Sequence, residues 1–247
     1  MTEPGDRAAD EPRSPWLRTG FVLATAFIGF VAVIGAAVAV NSDSGEQQDA
    51  APRAEVSTGG PSAVPSGAAS CPRLPDNRQD VPDSAPAGVT WTLYHSVALP
   101  SSGAAGPAVV DSDVARCYAR TPVGALLAAS QIGVRYLAAD DWLTVTRTQT
   151  VGPGRDTYIA ARTEAERTAS PDQEDSAHGQ IAGFRFVTYG GTTAVIQSVW
   201  RFPDGRLQAA LTTVLWRDGD WRLEYPADPP SPAPVDSLAG FTAWGGV

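Results

Sequence analysis

The hydrophobic pattern divides this chain before any motif does. From Gly20 to Val40 the sequence reads GFVLATAFIGFVAVIGAAVAV, 21 residues without a charge. As a helix rising about 1.5 Å per residue, it spans the ~30 Å hydrocarbon core of a bilayer. It lacks the polar stripe that a buried globular helix normally shows. Arg7, Arg13 and Arg18 precede it, whereas Arg53 alone stands beyond it among Asp43, Glu46, Asp49 and Glu55. The positive-inside rule therefore places the N-terminus in the cytoplasm and everything after Val40 outside. A cleaved signal peptide is the competing reading, since Ala37-Val38-Ala39 offers small residues to a peptidase, but the run exceeds the ~7 to 15 apolar residues such peptides use. The expectation is a cytoplasmic tail over residues 1–19 and a retained single-pass anchor over 20–40.

Residues 41–70 are rich in Ala, Gly, Ser, Pro and acids, with too few large apolar groups to offset the entropy of ordering. They read as a disordered linker whose r.m.s. reach of about 30 Å holds a domain clear of lipid headgroups without fixing its orientation.

Periodicity returns in residues 71–226. Trp91 to Leu99, WTLYHSVAL, has the β-branched and aromatic content of a strand, ended by Pro100, Gly103 and Gly106. In TPVGALLAASQIGVRYLA, Thr121 is placed to cap a helix with Pro122 at its first position, and Val123, Leu126, Leu127, Ser130, Val134 and Leu137 form one stripe. Asp140 to Thr150 fits neither period. DTYIAARTEAERT, after Gly152-Pro153-Gly154, reads as a more polar helix ending near Ser170-Pro171, with a solvent-facing acidic loop around Asp172, Glu174 and Asp175.

The period then changes to two. IAGFRFVTY predicts Ala182, Phe184, Phe186 and Thr188 on one face of a strand, and TTAVIQSVWRF predicts Ala194, Ile196, Ser198, Trp200 and Phe202 on one face of the next. Pro203-Asp204-Gly205 supplies a three-residue hairpin turn into RLQAALTTVLWR. Asp218-Gly219 signals a type I′ turn, which pairs Arg217 with Asp220, Trp216 with Trp221, Val214 with Leu223 and Thr212 with Tyr225. The tryptophan pair has two readings, core packing and partner binding, of which packing is preferred. Helices followed by three or four long antiparallel strands make an α+β domain in which a curved sheet closes on a long helix. Residues 227–247 form a Pro-rich tail carrying Leu238, Phe241 and Trp244, expected to fold back on the sheet rather than be presented to a partner.

Charge and composition narrow the chemistry. All 18 basic residues are Arg, which excludes Schiff-base lysines, phosphate-loop lysines and Ser-Lys dyads. A formal net charge of −9 argues against direct nucleic-acid binding, which needs clustered cations. Cys71 and Cys117 are the only cysteines and both fall on the expected outer side, where a disulfide would persist. Two free buried thiols are the alternative.

The single span, the Pro/Ser linker, ARTPVGALLAA, IAGFRFVTY, VLWRDGDWRLEYP and the terminal LAGFTAWGG together resemble actinobacterial conjugation-associated bitopic membrane proteins. The resemblance covers about residues 90 to 247. It implies a nuclear transport factor 2-like outer domain, a cone of helices packed on a curved antiparallel sheet, similar to the inner-membrane assembly proteins of type IV secretion systems. It further implies a scaffold in the cell membrane, self-association, protein partners in a transfer channel, and no cofactor. Its motifs are structural and carry no functional residue set. Candidates for an interaction surface are Trp216, Trp221, Tyr225, Phe241 and Trp244.

Enzymatic readings are weaker. An acid-base enzyme on a cone fold would draw on Asp156, Tyr158, His178 and Tyr189, yet Asp156 reads as a helix start, His178 lies in a polar loop, and Tyr189 precedes two glycines. A sortase-like transpeptidase would use His95 and Cys117, but Ala115-Arg116 stands where a threonine-rich strand is wanted. Zinc would require His95, His178, Cys71 and Cys117 to converge without paired spacing. A small apolar ligand inside the cone is the alternative to a scaffold. No catalytic or metal-binding residue is assigned.

Overall fold

The computed structural model describes residues 71–168 and 179–246. The expected anchor, the linker, the acidic loop around Asp172 and His178 lie outside the described residues. Among the described residues, no helix is long and apolar enough to cross a membrane.

Two small hairpins come first. Strands β1 (Thr90–Tyr94) and β2 (Val97–Ser101) pair antiparallel, with Trp91 opposite Pro100. Trp91 to Leu99 is therefore not one strand. His95 takes a left-handed backbone with φ 49°, and the chain reverses in two residues. Strands β3 (Val109–Asp111) and β4 (Val114–Arg116) form the second hairpin, turning at Ser112 with φ 51°.

Helix α1 (Pro122–Ala138) begins as its sequence dictates. The Thr121 hydroxyl oxygen accepts the Gly124 amide at 3.1 Å, and Pro122 needs no partner for an amide it lacks. The alanine side packs as tightly as the leucine side, so the helix is buried almost all round. Leu137, expected on the apolar stripe, lies in the last turn and is exposed. The ambiguous stretch forms helix α2 (Trp142–Gln149), where Asp141 accepts the Thr144 amide at 3.1 Å. Strand β5 (Thr150–Val151) and helix α3 (Arg155–Thr168) follow.

Four strands make the meander: β6 (Gln180–Gly190), β7 (Thr193–Arg201), β8 (Leu207–Arg217) and β9 (Asp220–Glu224). With β10 (Ala233–Val235) and β11 (Thr242–Ala243), the sheet order is β11-β6-β7-β8-β9-β5, and β10 also pairs with β8. Every pairing is antiparallel except β5 with β9. The result is α+β, as expected, although two hairpins precede the helices.

The alternation expected for β6 fails at two bulges. Irregularities between Ile181 and Gly183 and between Phe186 and Thr188 each shift the phase by one residue. The register then puts Ile181, Phe184, Phe186 and Tyr189 in line with Trp200, Ser198, Ile196 and Ala194, replacing the predicted Ala182 and Thr188. Against this inner face lie Leu126, Leu127 and Ile132 of α1, which with Ile196, Val214 and Trp221 are fully buried. Burial of that kind stabilises by about 1.5–3 kcal/mol per large side chain.

The tail is part of the fold. It pairs as β10 with the Leu207–Ala209 end of β8, then as β11 with Gly183 and Phe184 of β6. Because β7 lies between those two strands, residues 236–241 cross the outer sheet face. This explains why Val199 and Ala209, on that face, are buried. Beyond β11 the Trp244 amide donates to the Ala182 carbonyl at 3.0 Å, and the indole turns inward against Phe184 and Trp91 at centroid distances of 5.4 and 4.8 Å.

Candidate functional site

The hairpin between β8 and β9 forms as predicted from Arg217–Asp220 to Val214–Leu223, but the expected Thr212–Tyr225 pair does not form: β9 ends at Glu224 and the Tyr225 amide donates to the Val151 carbonyl at 2.7 Å. Asp218 and Gly219 both have positive φ, Arg217 opposes Asp220, and Trp216 opposes Trp221. The rings meet edge to face at 5.4 Å. Their environments differ: Trp221 is fully buried and its indole donates to the Ala119 carbonyl at 2.9 Å, while Trp216 is half-buried with the Arg120 guanidinium 5.7 Å from its ring. Of the five residues expected to offer an interaction surface, Trp221, Tyr225 and Trp244 are core residues at 0%, 7% and 6% exposure. Trp216 and Phe241 are half-buried, and Phe241 stacks under Arg185 at 4.6 Å.

Asp220, next in the hairpin, is the buried acid among the described residues. Its carboxylate accepts the amides of Cys117, Tyr118 and Trp221 at 2.7, 2.9 and 2.9 Å. Burial pushes its carboxyl upward and the three amides pull the other way. Cys117 is bonded to Cys71, as the sequence allowed. The two sulfurs and the Asp220 carboxylate lie within 4.8 Å of one another, yet a disulfide has no thiolate to offer a metal and the carboxylate is already committed to amides. The group is a structural knot that fastens residues 71–89 to the hairpin. The same bond removes Cys117 as a nucleophile for a sortase-like reaction.

Of the candidate acid-base residues, the three that are described, Asp156, Tyr158 and Tyr189, sit in structural surroundings. Asp156 is an exposed partner of Arg155 at 3.0 Å. Tyr158 is buried among Tyr136, Trp142 and Tyr225, donates to the Tyr136 carbonyl at 3.2 Å and accepts Arg162 at 3.1 Å. Burial raises its phenol well out of range for a base near neutral pH. Tyr189 belongs to a different cluster with Phe186 and Trp221, and donates to Gln79 at 3.0 Å. Both tyrosines are explained by packing.

The concave feature that sequence reasoning missed is a cleft of about 820 Å3 at the beginning of β6. Its walls come from four distant stretches: Val89 and Trp91 from the leading segment, Ile181 of β6, Phe202 beyond β7, and Leu238 and Trp244 from the tail. Two polar side chains line it, Gln180 and Arg201. Gln180 is occupied structurally, since its oxygen accepts the Ala98 amide at 3.0 Å and its nitrogen donates to the Ser96 carbonyl at 2.6 Å. Arg201 is exposed and no ion pair reaches it among the described residues. The available signal was an aromatic residue in three of the four stretches, Trp91, Phe202 and Trp244, but nothing in one sequence says that those stretches meet.

No curated protein and no solved structure matches this sequence. A family described as a domain of unknown function (DUF8175) matches residues 51–243, which include the disulfide, the meander and nearly all of the tail, and the chain belongs to that family.

Proposed function

We propose that this chain is a non-enzymatic, membrane-anchored assembly component of a cell-envelope machine, with conjugative DNA transfer of the type IV secretion kind as the machine. In this reading Gly20 to Val40 holds the chain in the cell membrane, residues 41–70 act as a tether, and the α+β domain works outside. It docks on protein partners of the transfer channel and on further copies of itself, with no cofactor. Tethering raises the local concentration of such contacts, so a modest interface suffices.

The observation that carries this reading is the Cys71–Cys117 bond immediately after the tether. Disulfides persist in oxidising, extracytoplasmic compartments and are rare in a reducing cytosol, which supports export of everything past the anchor. The fold supports the finer resemblance. Two helices, a short strand, a third helix and a four-stranded meander whose last strand lies parallel to that short strand wrap the sheet around α1, in keeping with a nuclear transport factor 2-like cone.

Protease added to intact spheroplasts, with the chain followed by an epitope after Val247, tests the topology. Loss of the epitope and retention of an N-terminal fragment are expected, and full protection rejects the reading. Crosslinking in the same cells tests the role: adducts with envelope proteins are expected, and recovery of uncrosslinked monomer alone overturns the assembly function.

A further inference from the structure

The geometry points to a ligand for the cleft at the start of β6: an amphiphile with a single acyl chain and one anionic head, held by the aromatic walls and by Arg201. This inference is independent of the scaffold reading and of the cell compartment. The cleft volume of about 820 Å3 falls within the roughly 300–1,000 Å3 of small-molecule sites. It lies outside the cone interior, where Leu126, Ile132 and Trp221 fill the space.

Three observations select the chemistry. First, the walls formed by Trp91, Phe202, Leu238 and Trp244 are apolar, which suits a hydrocarbon body. Second, the charge lining the cleft is one cation, Arg201, uncompensated among the described residues of a chain whose net charge is −9. A guanidinium offers a forked donor set that matches a carboxylate or phosphate. Third, the backbone of β6 beside the cleft is already taken. The tail's Trp244 amide occupies the Ala182 carbonyl, and a side chain on Gly245 would collide with the Ile181 carbonyl. With Gln180 also committed to β2, an added peptide strand would find no partners for its own amides, which disfavours a peptide. An acyl chain has no such groups to satisfy.

The test uses the full chain in phosphatidylcholine nanodiscs, photolabelled with a diazirine analogue of palmitate and mapped by peptide mass spectrometry. Labelling is expected on peptides carrying Trp91, Phe202, Leu238 or Trp244. Arg201→Gln should reduce it about tenfold, the loss of one charge-assisted hydrogen bond, and Arg201→Lys should retain most of it. Diazirine hexadecanol, which lacks the charge, should label wild type and Arg201→Gln equally and weakly. A diazirine lysophosphatidic acid, which has one acyl chain, separates the two sources of the head group: stronger labelling than palmitate assigns the site to a lysophospholipid, and weaker labelling to a free fatty acid. Thermal melts of both variants check folding, which an exposed position at a strand end should preserve. Palmitate label within residues 71–247 that falls on other peptides, or cleft label that Arg201→Gln leaves unchanged, overturns the proposal.

Discussion

The Asp220 carboxylate accepts the Cys117 amide at 2.7 Å, joining the second small hairpin to the meander across 103 residues of sequence. The same group satisfies Tyr118 and Trp221, so one buried acid closes three backbone donors. Asp220→Ala would leave all three buried without an acceptor. At about 1–3 kcal/mol per unsatisfied group, a loss of at least ~3 kcal/mol is expected in urea unfolding. A change below about 0.5 kcal/mol, the size of an ordinary surface substitution, would show that the knot contributes nothing.

The Cys71–Cys117 bond closes a loop with a sequence separation of 46. Chain entropy gives it about 4 kcal/mol. Cys71→Ser, which touches the exposed partner, should lower unfolding stability by that order, and reductant should bring wild type down to the variant while leaving the variant unmoved. A reductant effect of equal size on both proteins would locate the sensitivity elsewhere.

The readable parts of this fold were those fixed by local chemistry. Thr121-Pro122 announces a capped helix, and Asp218-Gly219 with flanking tryptophans sets both turn and register. What stayed hidden depended on partners far away. Composition made Trp91 to Leu99 one strand, because nothing local shows that His95 turns. Strict alternation in β6 named Ala182 and Thr188 as inward, because bulges at Ala182 and Val187 leave no local trace. Trp216 and Trp221 looked equivalent until the Ala119 carbonyl and α1 were seen on one side only. The cleft drew on four separated stretches, so its single cation could not be distinguished from any other arginine.

That asymmetry predicts unequal costs for the tryptophan pair. Trp221→Ala removes a fully buried indole and should cost about 3–5 kcal/mol. Trp216→Ala gives up a half-buried ring and its cross-strand contact, for roughly 1 kcal/mol. Equal losses in denaturant titrations would contradict the observed packing.

The tail makes a similar claim on the core. Trp244 is buried against Phe184 and Trp91, so Trp244→Ala should also cost about 3–5 kcal/mol. Removing residues 238–247 should do more, by baring Val199 and Ala209 on the outer face and the edge of β6, with aggregation as the visible result. A truncated chain as soluble and as stable as the whole would mean the tail is an appendage.

Protonation offers a reversible test of the contact between the two leading hairpins. The Tyr94 hydroxyl donates to Asp113 at 2.6 Å, the other Asp113 oxygen accepts the Asp141 amide at 3.1 Å, and the Arg135 guanidinium stacks 4.2 Å from the Tyr94 ring. The Tyr94 bond leads in holding the Asp113 carboxyl below its ordinary 3.8, with the Asp141 amide, Arg135 and His95 adding to it. A depressed carboxyl stabilises the fold fully above its unfolded pKa and loses that contribution as pH falls through the folded one. The phenol is shifted upward by burial and by the same bond, so its share persists to neutral pH and is lost only as pH rises above the ordinary 10. Tyr94→Phe keeps the ring for Arg135 and removes the donor. The stability difference between wild type and Tyr94→Phe should therefore be flat from pH 5 to 8, begin to shrink below about pH 4, where the unfolded carboxyl takes up its proton, and disappear as pH falls through the lower folded value. Thermal melts across that range decide it: a difference that grows on acidification would show that Asp113 is not the acceptor that matters.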